Sequence, residues 1–324
     1  MSQADQPTLP VEGEASEPLD RIDVAELVGQ TLADRFEVRR VVGHGRHGTV
    51  FEAHDRRLGH PVALKVLPSM GADALARFKQ EFRALIDVAH PNLVGLYELF
   101  VGADAVFFTM ELVGGGDFSG WVRPGGVLDE ARLRTALVEL SHGLSALHAA
   151  GVLHRDLKPS NVLVREDGRV ALVDFGLARQ LVQGDEDEGT VGTPMYMSPE
   201  QAANLVLGPA SDWYSVGVML YEALVGEGPF PELDGISLLM AKQLGPAPSA
   251  AVRAPEASPT LLALCDELLA QRPEGRPRAV EVLRRLGAEP EAEAPASVWG
   301  EQFFGRRQEL LRLDAALRRV GPWS

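Results

Sequence analysis

Three short apolar-rich stretches near the start of the chain, Glu37 to Val42, Thr49 to His54 and Val62 to Val66, read as β-strands, with a glycine-rich turn between the first two. Leu75, Phe78, Phe82, Leu85 and Ile86 then recur at helical spacing, which predicts a helix over about 73–88. Leu96 to Phe100 and Val106 to Leu112 return to strand character. The first part of the chain therefore reads as a small sheet with one helix.

Gly114-Gly115-Gly116 breaks this pattern. Leu133, Leu137, Leu140, Leu144 and Leu147 form one stripe of a long helix, which Asp129 can cap and Gly151 can stop. Val162-Leu163-Val164 and Val170-Ala171-Leu172-Val173 flank Asp167-Gly168, a strong hairpin-turn signal. Trp213 to Leu224 and Pro259 to Leu269 read as further helices. The expected fold class is α+β, with a β-rich lobe over about 32–112, a hinge, and a helical lobe over about 113–287. Ahead of it, residues 1–31 are acidic, rich in Pro and Ser, too poor in large apolar side chains to bury much surface, and expected to be a disordered segment. Behind it, residues 288–302 read as a stiff Ala/Glu/Pro linker, followed by an amphipathic helix from Gln308 to Val320. No internal repeat is visible.

A chain of 324 residues with 45% hydrophobic content has room for one large fold or two ordinary domains. The formal net charge of −15, with no long basic run, argues against a general nucleic-acid or membrane-surface binder. The single cysteine, Cys265, rules out an intrachain disulfide and fits a reducing cytosol. It sits in the apolar-rich run Leu261 to Cys265 and reads as a small buried hydrophobe rather than a nucleophile. The eight histidines are scattered, without metal-ligand spacing. Met1 to Asp20 lacks the apolar core of a secretory signal. The longest apolar stretch, Trp213 to Val225, contains Glu222 and is too short to span a bilayer. A soluble, cytoplasmic protein is expected.

The chemistry is concentrated in four motifs. His154-Arg155-Asp156-Leu157-Lys158-Pro159-Ser160-Asn161 spells H-R-D-L-x-x-x-N, and Asp174-Phe175-Gly176 follows a short way on. An aspartate held near a hydroxyl can accept its proton, and an asparagine with a second aspartate can hold Mg²⁺ on the phosphates of ATP. Gly43-His44-Gly45-Arg46-His47-Gly48-Thr49-Val50 matches G-x-G-x-x-G-x-V, whose glycines let backbone N–H groups approach phosphate oxygens. The same glycine pattern marks dinucleotide sites, but here it joins two strands rather than a strand and a helix. Val62-Ala63-Leu64-Lys65 places a lysine inside an apolar strand, where it needs a partner. Glu81 shares the core-facing side of its helix with Phe78 and Leu85 and is the candidate partner; alone it would read as a solvated surface acid.

Taken in order, these motifs resemble the eukaryotic-like Ser/Thr protein kinases of bacteria, over most of the chain. The resemblance implies a bilobal protein kinase fold that transfers the γ-phosphoryl of Mg·ATP to Ser or Thr hydroxyls of a protein substrate. It assigns Asp156 as the base, Lys158 as the group that balances charge on the transferred phosphoryl, and Asn161 and Asp174 as the Mg²⁺ ligands. Lys65, paired with Glu81, would hold the ATP phosphates. Val42, Gly43, His44, Gly45, Gly48, Val50 and Ala63 would surround the nucleotide. Met110 would be the gatekeeper, and backbone groups of Glu111 and Val113 would bond the adenine edge.

The segment from Gly189 to Glu200 resembles the substrate-facing part of a kinase activation segment, with Ser198 in place of the alanine of A-P-E. The resemblance implies that Thr193 bonds to the catalytic Asp and Lys, that Glu200 pairs with Arg276, and that Asp212 caps or braces the start of the central helix. Thr190 is the candidate phosphosite, and its phosphate would dock near Arg155. Asp185-Glu186-Asp187-Glu188 reads as a solvated loop, with partial phosphate mimicry as the bolder alternative. Phe303 to Leu313, with Gly305-Arg306, resembles the opening of AAA/STAND-type ATPase domains; a helix that packs on the kinase is the competing reading. In the first reading, residues 303–324 would begin an ATPase domain continued in a longer chain.

Two other functions stay open beside the protein kinase. An ATP-binding pseudokinase or scaffold would bind nucleotide and a partner without turnover, although Lys65, Asp156, Asn161 and Asp174 are all in place. A small-molecule kinase of similar fold is disfavoured by Gly192-Thr193-Pro194 and Ser198-Pro199-Glu200, which resemble a groove for a polypeptide.

Overall fold

The computed structural model of the protein describes residues 27–45, 48–102, 106–175 and 194–289. The first lobe is an antiparallel sheet built from β1 (Thr31–Leu32), β2 (Phe36–Gly45), β3 (Gly48–Asp55), β4 (His60–Leu67), β5 (Leu96–Val101) and β6 (Val106–Met110), in the order β1-β2-β3-β4-β6-β5. Side chains alternate across a strand, so each strand serves two cores. Phe36, Val38, Phe51, Ala53, Val62, Leu64, Val66 and Phe107 close one face. Ala63, Leu67, Phe108 and Met110 face the other way, onto Phe78, Phe82 and Leu85 of helix α1 (Ala72–Ile86). The sheet starts earlier than the sequence pattern suggests. Leu27 is buried in the first of these cores, and Gly29 N–H donates to Val38 O at 2.8 Å.

The second lobe follows α2 (Phe118–Val122) and contains α3 (Glu130–Ala149), α4 (Pro199–Ala202), α5 (Pro209–Val225), α6 (Gly235–Leu244), α7 (Pro259–Leu268) and α8 (Ala279–Leu286). The leucine stripe of α3 is buried at all five positions, and Asp129 caps the helix by accepting Arg132 N–H at 3.0 Å. Helix α5 is apolar nearly all round and runs through the lobe's core, with every residue from Ser211 to Tyr221 buried. A small sheet, β7 (Gly116–Asp117), β8 (Val162–Val164) and β9 (Val170–Leu172), carries the hairpin whose turn holds Gly168 at φ +86°.

The lobes are tied together at the α1–β5 loop and at the hinge, among other contacts. The α1–β5 loop reaches down to β9: Leu172 N–H donates to Asn92 O at 2.8 Å, and Val94 N–H donates to Leu172 O at 2.9 Å. The Asn92 side chain donates onward to Glu139 Oε2 at 2.6 Å and Val170 O at 2.9 Å. At the hinge, the Glu111 carboxylate accepts Arg165 Nη2 at 2.6 Å. Strand β6 ends at Met110, two residues before the expected Leu112, because Glu111 turns its N–H to Gly95 O at 2.8 Å. Among the described residues, no helix is long and apolar enough to cross a membrane.

Candidate active site

Strand register explains how the residues expected around the nucleotide come together. Val50 lies opposite Lys65, and Ala63 lies opposite Met110, so all four share one face of the sheet. Among the glycines of the β2–β3 turn, Gly48 is the one the fold itself demands. Its φ is +119°, and a Cβ there would lie 2.0 Å from Val66 O. Gly43 has nothing within 4 Å of such an atom, which leaves open space over the sheet. His44 Nδ1 and Thr49 Oγ1 lie 3.1 Å apart across the hairpin, and Val42 is exposed. At the hinge, the Glu111 N–H is already committed to Gly95, so its carbonyl is the group left for an adenine edge; Val113 is half-buried beside it.

Lys65 is 6% exposed, and its Nζ lies 2.7 Å from Asp174 Oδ1. The expectation named only Glu81 as its carboxylate partner, and the structure adds the carboxylate of Asp174; Glu81 sits half-buried on α1. Burying an ammonium is costly without an opposite charge, and Asp174 supplies one. Asp174 holds φ at +60°, an uncommon backbone state for a non-glycine residue. The following Phe175 is buried in the main core, edge-on to His154 with ring centroids 6.4 Å apart.

The catalytic loop is fastened from behind. Asp212 lies inside α5, near its start, and is 1% exposed. Its carboxylate accepts His154 N–H at 2.9 Å and Arg155 N–H at 2.8 Å, and also meets His148 Nε2 at 2.8 Å. Asp212 therefore braces the loop rather than capping the helix, where Gly208 occupies the N-cap. Burial alone would raise the Asp212 carboxyl, but the hydrogen bond with His148 and the other donors hold it below the ordinary range. His154 is wholly buried, and burial pushes its imidazole down, so the ring packs as a neutral group. Arg155 adopts φ +66°, and its carbonyl accepts Gln201 Nε2 at 2.9 Å.

On this platform, Lys158 Nζ lies 2.8 Å from Asp156 Oδ2. Asn161 Nδ2 donates to Asp156 O at 2.7 Å and to its Oδ2 at 3.1 Å. Both contacts fix the Asp156 side chain. The second also sets the Asn161 amide with its nitrogen on Asp156, leaving Oδ1 as a hard oxygen donor.

Arg276 grips Glu200 through two nitrogens, at 2.6 and 2.9 Å, and Ser211 Oγ adds a third donor at 2.7 Å. All three residues are buried. Sequence reasoning missed a second cluster beside this pair. Lys242, on α6, donates to the carbonyls of Pro194, Met195 and Met197. Its signal was present: Lys242 is the sole charged residue in the α6 sequence GISLLMAKQL. Thr190, Thr193, the acidic run from Asp185 to Glu188, and the segment from Phe303 to Leu313 lie outside the described residues.

These features define a bilobal protein kinase fold, and comparison with known proteins agrees. The sequence model of the protein kinase domain matches residues 36–286, so the chain belongs to that family. It is 34% identical over 280 residues to the serine/threonine-protein kinase pkn3 of Myxococcus xanthus, covering 81% of this chain and 51% of that protein. It is 32% identical over 262 residues to the serine/threonine-protein kinase PknA of Mycobacterium tuberculosis, covering 78% and 60%. It is 37% identical over 212 residues to PknL of the same organism, covering 64% and 53%. The match thus spans about half the length of these relatives.

Proposed function

We propose that this chain is a non-specific Ser/Thr protein kinase that transfers the γ-phosphoryl of Mg·ATP to protein hydroxyls, in signalling and with autophosphorylation. The observation that carries this reading is the fixed Asp156. One of its carboxylate oxygens is held by Lys158 and Asn161, within a loop braced by Asp212. A carboxylate so placed orients a substrate hydroxyl and takes its proton as the oxygen attacks phosphorus, while the Lys158 ammonium offsets charge on the transferred group. Lys65, on the face it shares with Val50, Ala63 and Met110, would hold the nucleotide phosphates.

Mg²⁺ suits the donors present. The Asn161 amide oxygen and the Asp174 carboxylate are hard oxygen ligands, and such sites commonly use one or two protein oxygens and complete the shell with phosphates and water. Bound there, the ion would neutralise phosphate charge. Most of the remaining catalysis is positioning and electrostatic stabilisation by residues already in place.

Arg155 supports the view that an anion on the activation segment acts on this site. Its Nε is buried and has no hydrogen-bond partner among the described residues, a costly state that an added phosphate would relieve. Phospho-Thr190 is the proposed source of that anion. Loss of activity in Thr190→Ala, with little effect from neutralising Asp185 to Glu188, would favour phosphorylation; the reverse would favour mimicry by the acidic run.

The primary test incubates purified protein with labelled Mg·ATP and a generic basic protein, beside Asp156→Asn. Label on Ser or Thr with the wild type alone supports the kinase. ATP binding without label in either points to the pseudokinase reading.

A further inference from the structure

Four consecutive carbonyls, at residues 194–197, are held by side chains from other elements. Lys242 Nζ donates to Pro194 O at 2.8 Å, Met195 O at 2.5 Å and Met197 O at 2.7 Å. Ser215 Oγ, on α5, donates to the remaining one, Tyr196 O, at 2.8 Å. An ammonium has three protons, and here each meets one oxygen. Lys242 is 1% exposed and lies 5.4 Å from the centre of the Tyr214 ring, whose other close cation is Arg276 at 4.9 Å. Among the described residues no carboxylate contributes to its environment; burial pulls the Lys242 ammonium down to about 7, and three backbone dipoles and an aromatic ring offset that cost. An arrangement this costly is poorly explained as general stabilisation, since an apolar residue of similar size would fill the space more cheaply.

The side chains of the same segment are fixed as well. Tyr196 hydroxyl donates to Glu222 Oε2 at 2.7 Å. Gly228 backs directly onto Met195, where an added Cβ would lie 2.6 Å from Sδ. Tyr196 and Met197 are buried, but Pro194 and Met195 stay half-exposed. The result is a ledge with its backbone carbonyls clamped and two half-exposed apolar side chains, Pro194 and Met195. It leads through Ser198 into Glu200, and α4 in turn touches the catalytic loop through Gln201.

We propose that Lys242 is a positioning residue for the protein substrate. Its ammonium shapes the 194–197 ledge on which an extended polypeptide rests while its hydroxyl faces Asp156. The proposal builds on the protein kinase reading and adds the device that sets peptide recognition. Lys242 touches neither nucleotide nor hydroxyl, so its influence should fall on the peptide and not on ATP.

The test measures two acceptors with the full chain: a Ser/Thr peptide phosphorylated by the wild type, and water, read as ADP release without peptide. Lys242→Met should raise the peptide KM at least tenfold and lower the ratio of peptide-directed to water-directed transfer by a similar factor, with the ATP KM within twofold. Lys242→Arg keeps a charged donor and should recover part of the ratio. Ser215→Ala removes one donor only, and should shift the ratio in the same direction by a smaller amount; it carries the test if Lys242→Met does not fold. An unchanged peptide KM, or equal losses toward peptide and water, would overturn the proposal. If the wild type transfers phosphate to water but to no peptide, the kinase reading fails, and this inference with it.

Discussion

Lys65 Nζ lies 2.7 Å from Asp174 Oδ1, so the buried lysine of β4 is neutralised by the aspartate that opens the Asp174-Phe175-Gly176 motif. The two sides of this pair are unequal: the Lys65 side chain is 7% exposed and that of Asp174 is 26% exposed. Losing one partner therefore has different consequences from losing the other.

Lys65→Met replaces the buried charge with an apolar side chain and leaves a carboxylate that still reaches water. Its unfolding free energy should stay within about 1 kcal/mol of the wild type, while phosphoryl transfer falls by a factor on the order of 100 or more. Asp174→Ala removes a carboxylate in direct contact with the buried Lys65 ammonium and should cost about 3 kcal/mol. Urea unfolding of both variants checks this asymmetry; equal losses would contradict it.

Asp212→Asn keeps one acceptor oxygen but turns an amide toward groups that are themselves donors, His154 N–H and Arg155 N–H. A loss of about 2–3 kcal/mol in stability is expected, together with a fall in kcat of roughly tenfold or more, because the loop bearing Asp156 loses its brace. Denaturant titration and turnover on the same preparation measure both. Wild-type turnover in Asp212→Asn would show that the loop keeps its shape without the carboxylate.

The Glu200–Arg276 pair predicts a pH dependence. Burial on its own would raise the Glu200 carboxyl, but the hydrogen bonds from Arg276 and Ser211 outweigh it and hold the group below its ordinary value of 4.5. A depressed carboxylate adds stability that is fully present above the unfolded value and is lost as pH falls through the folded value. Glu200→Gln removes that titration. It should be less stable than the wild type by about 3 kcal/mol near neutrality, and the gap should narrow below 4.5. A gap independent of pH would mean that the charge on Glu200 contributes little.

The glycines of the β2–β3 turn should separate by role. Gly48→Ala meets both a positive φ and Val66 O, and should cost about 1–3 kcal/mol. Gly43→Ala meets nothing and should leave the melting temperature unchanged while raising the KM for ATP, if that space receives phosphates. Thermal unfolding and ATP titration of the two variants distinguish structure from binding.

Much of this site was legible because its residues sit close together in the chain. Asp156, Lys158 and Asn161 fall within one loop, and local backbone geometry is enough to bring them into contact. The leucine stripe of α3 and the Asp167-Gly168 turn were equally plain, since helix period and turn chemistry are local. The contact of Lys65 with Asp174 was not, because it depends on how the strand that carries Lys65 comes to face the loop after β9. Asp212 was expected to cap or brace the start of α5; that it braces the loop at His154 appears only when that loop packs over α5.

The sequence alone determined the class of fold, the order of the lobes and the cluster around Asp156, because period, turn residues and contiguous motifs are properties of neighbouring positions. Tertiary structure decided the pairings across long intervals: Lys65 with Asp174, Asp212 with the loop at His154, and Lys242 with the carbonyls of 194–197. Each of these is a buried polar group seeking a partner, and burial is a consequence of how the elements pack, which no single stretch of sequence specifies.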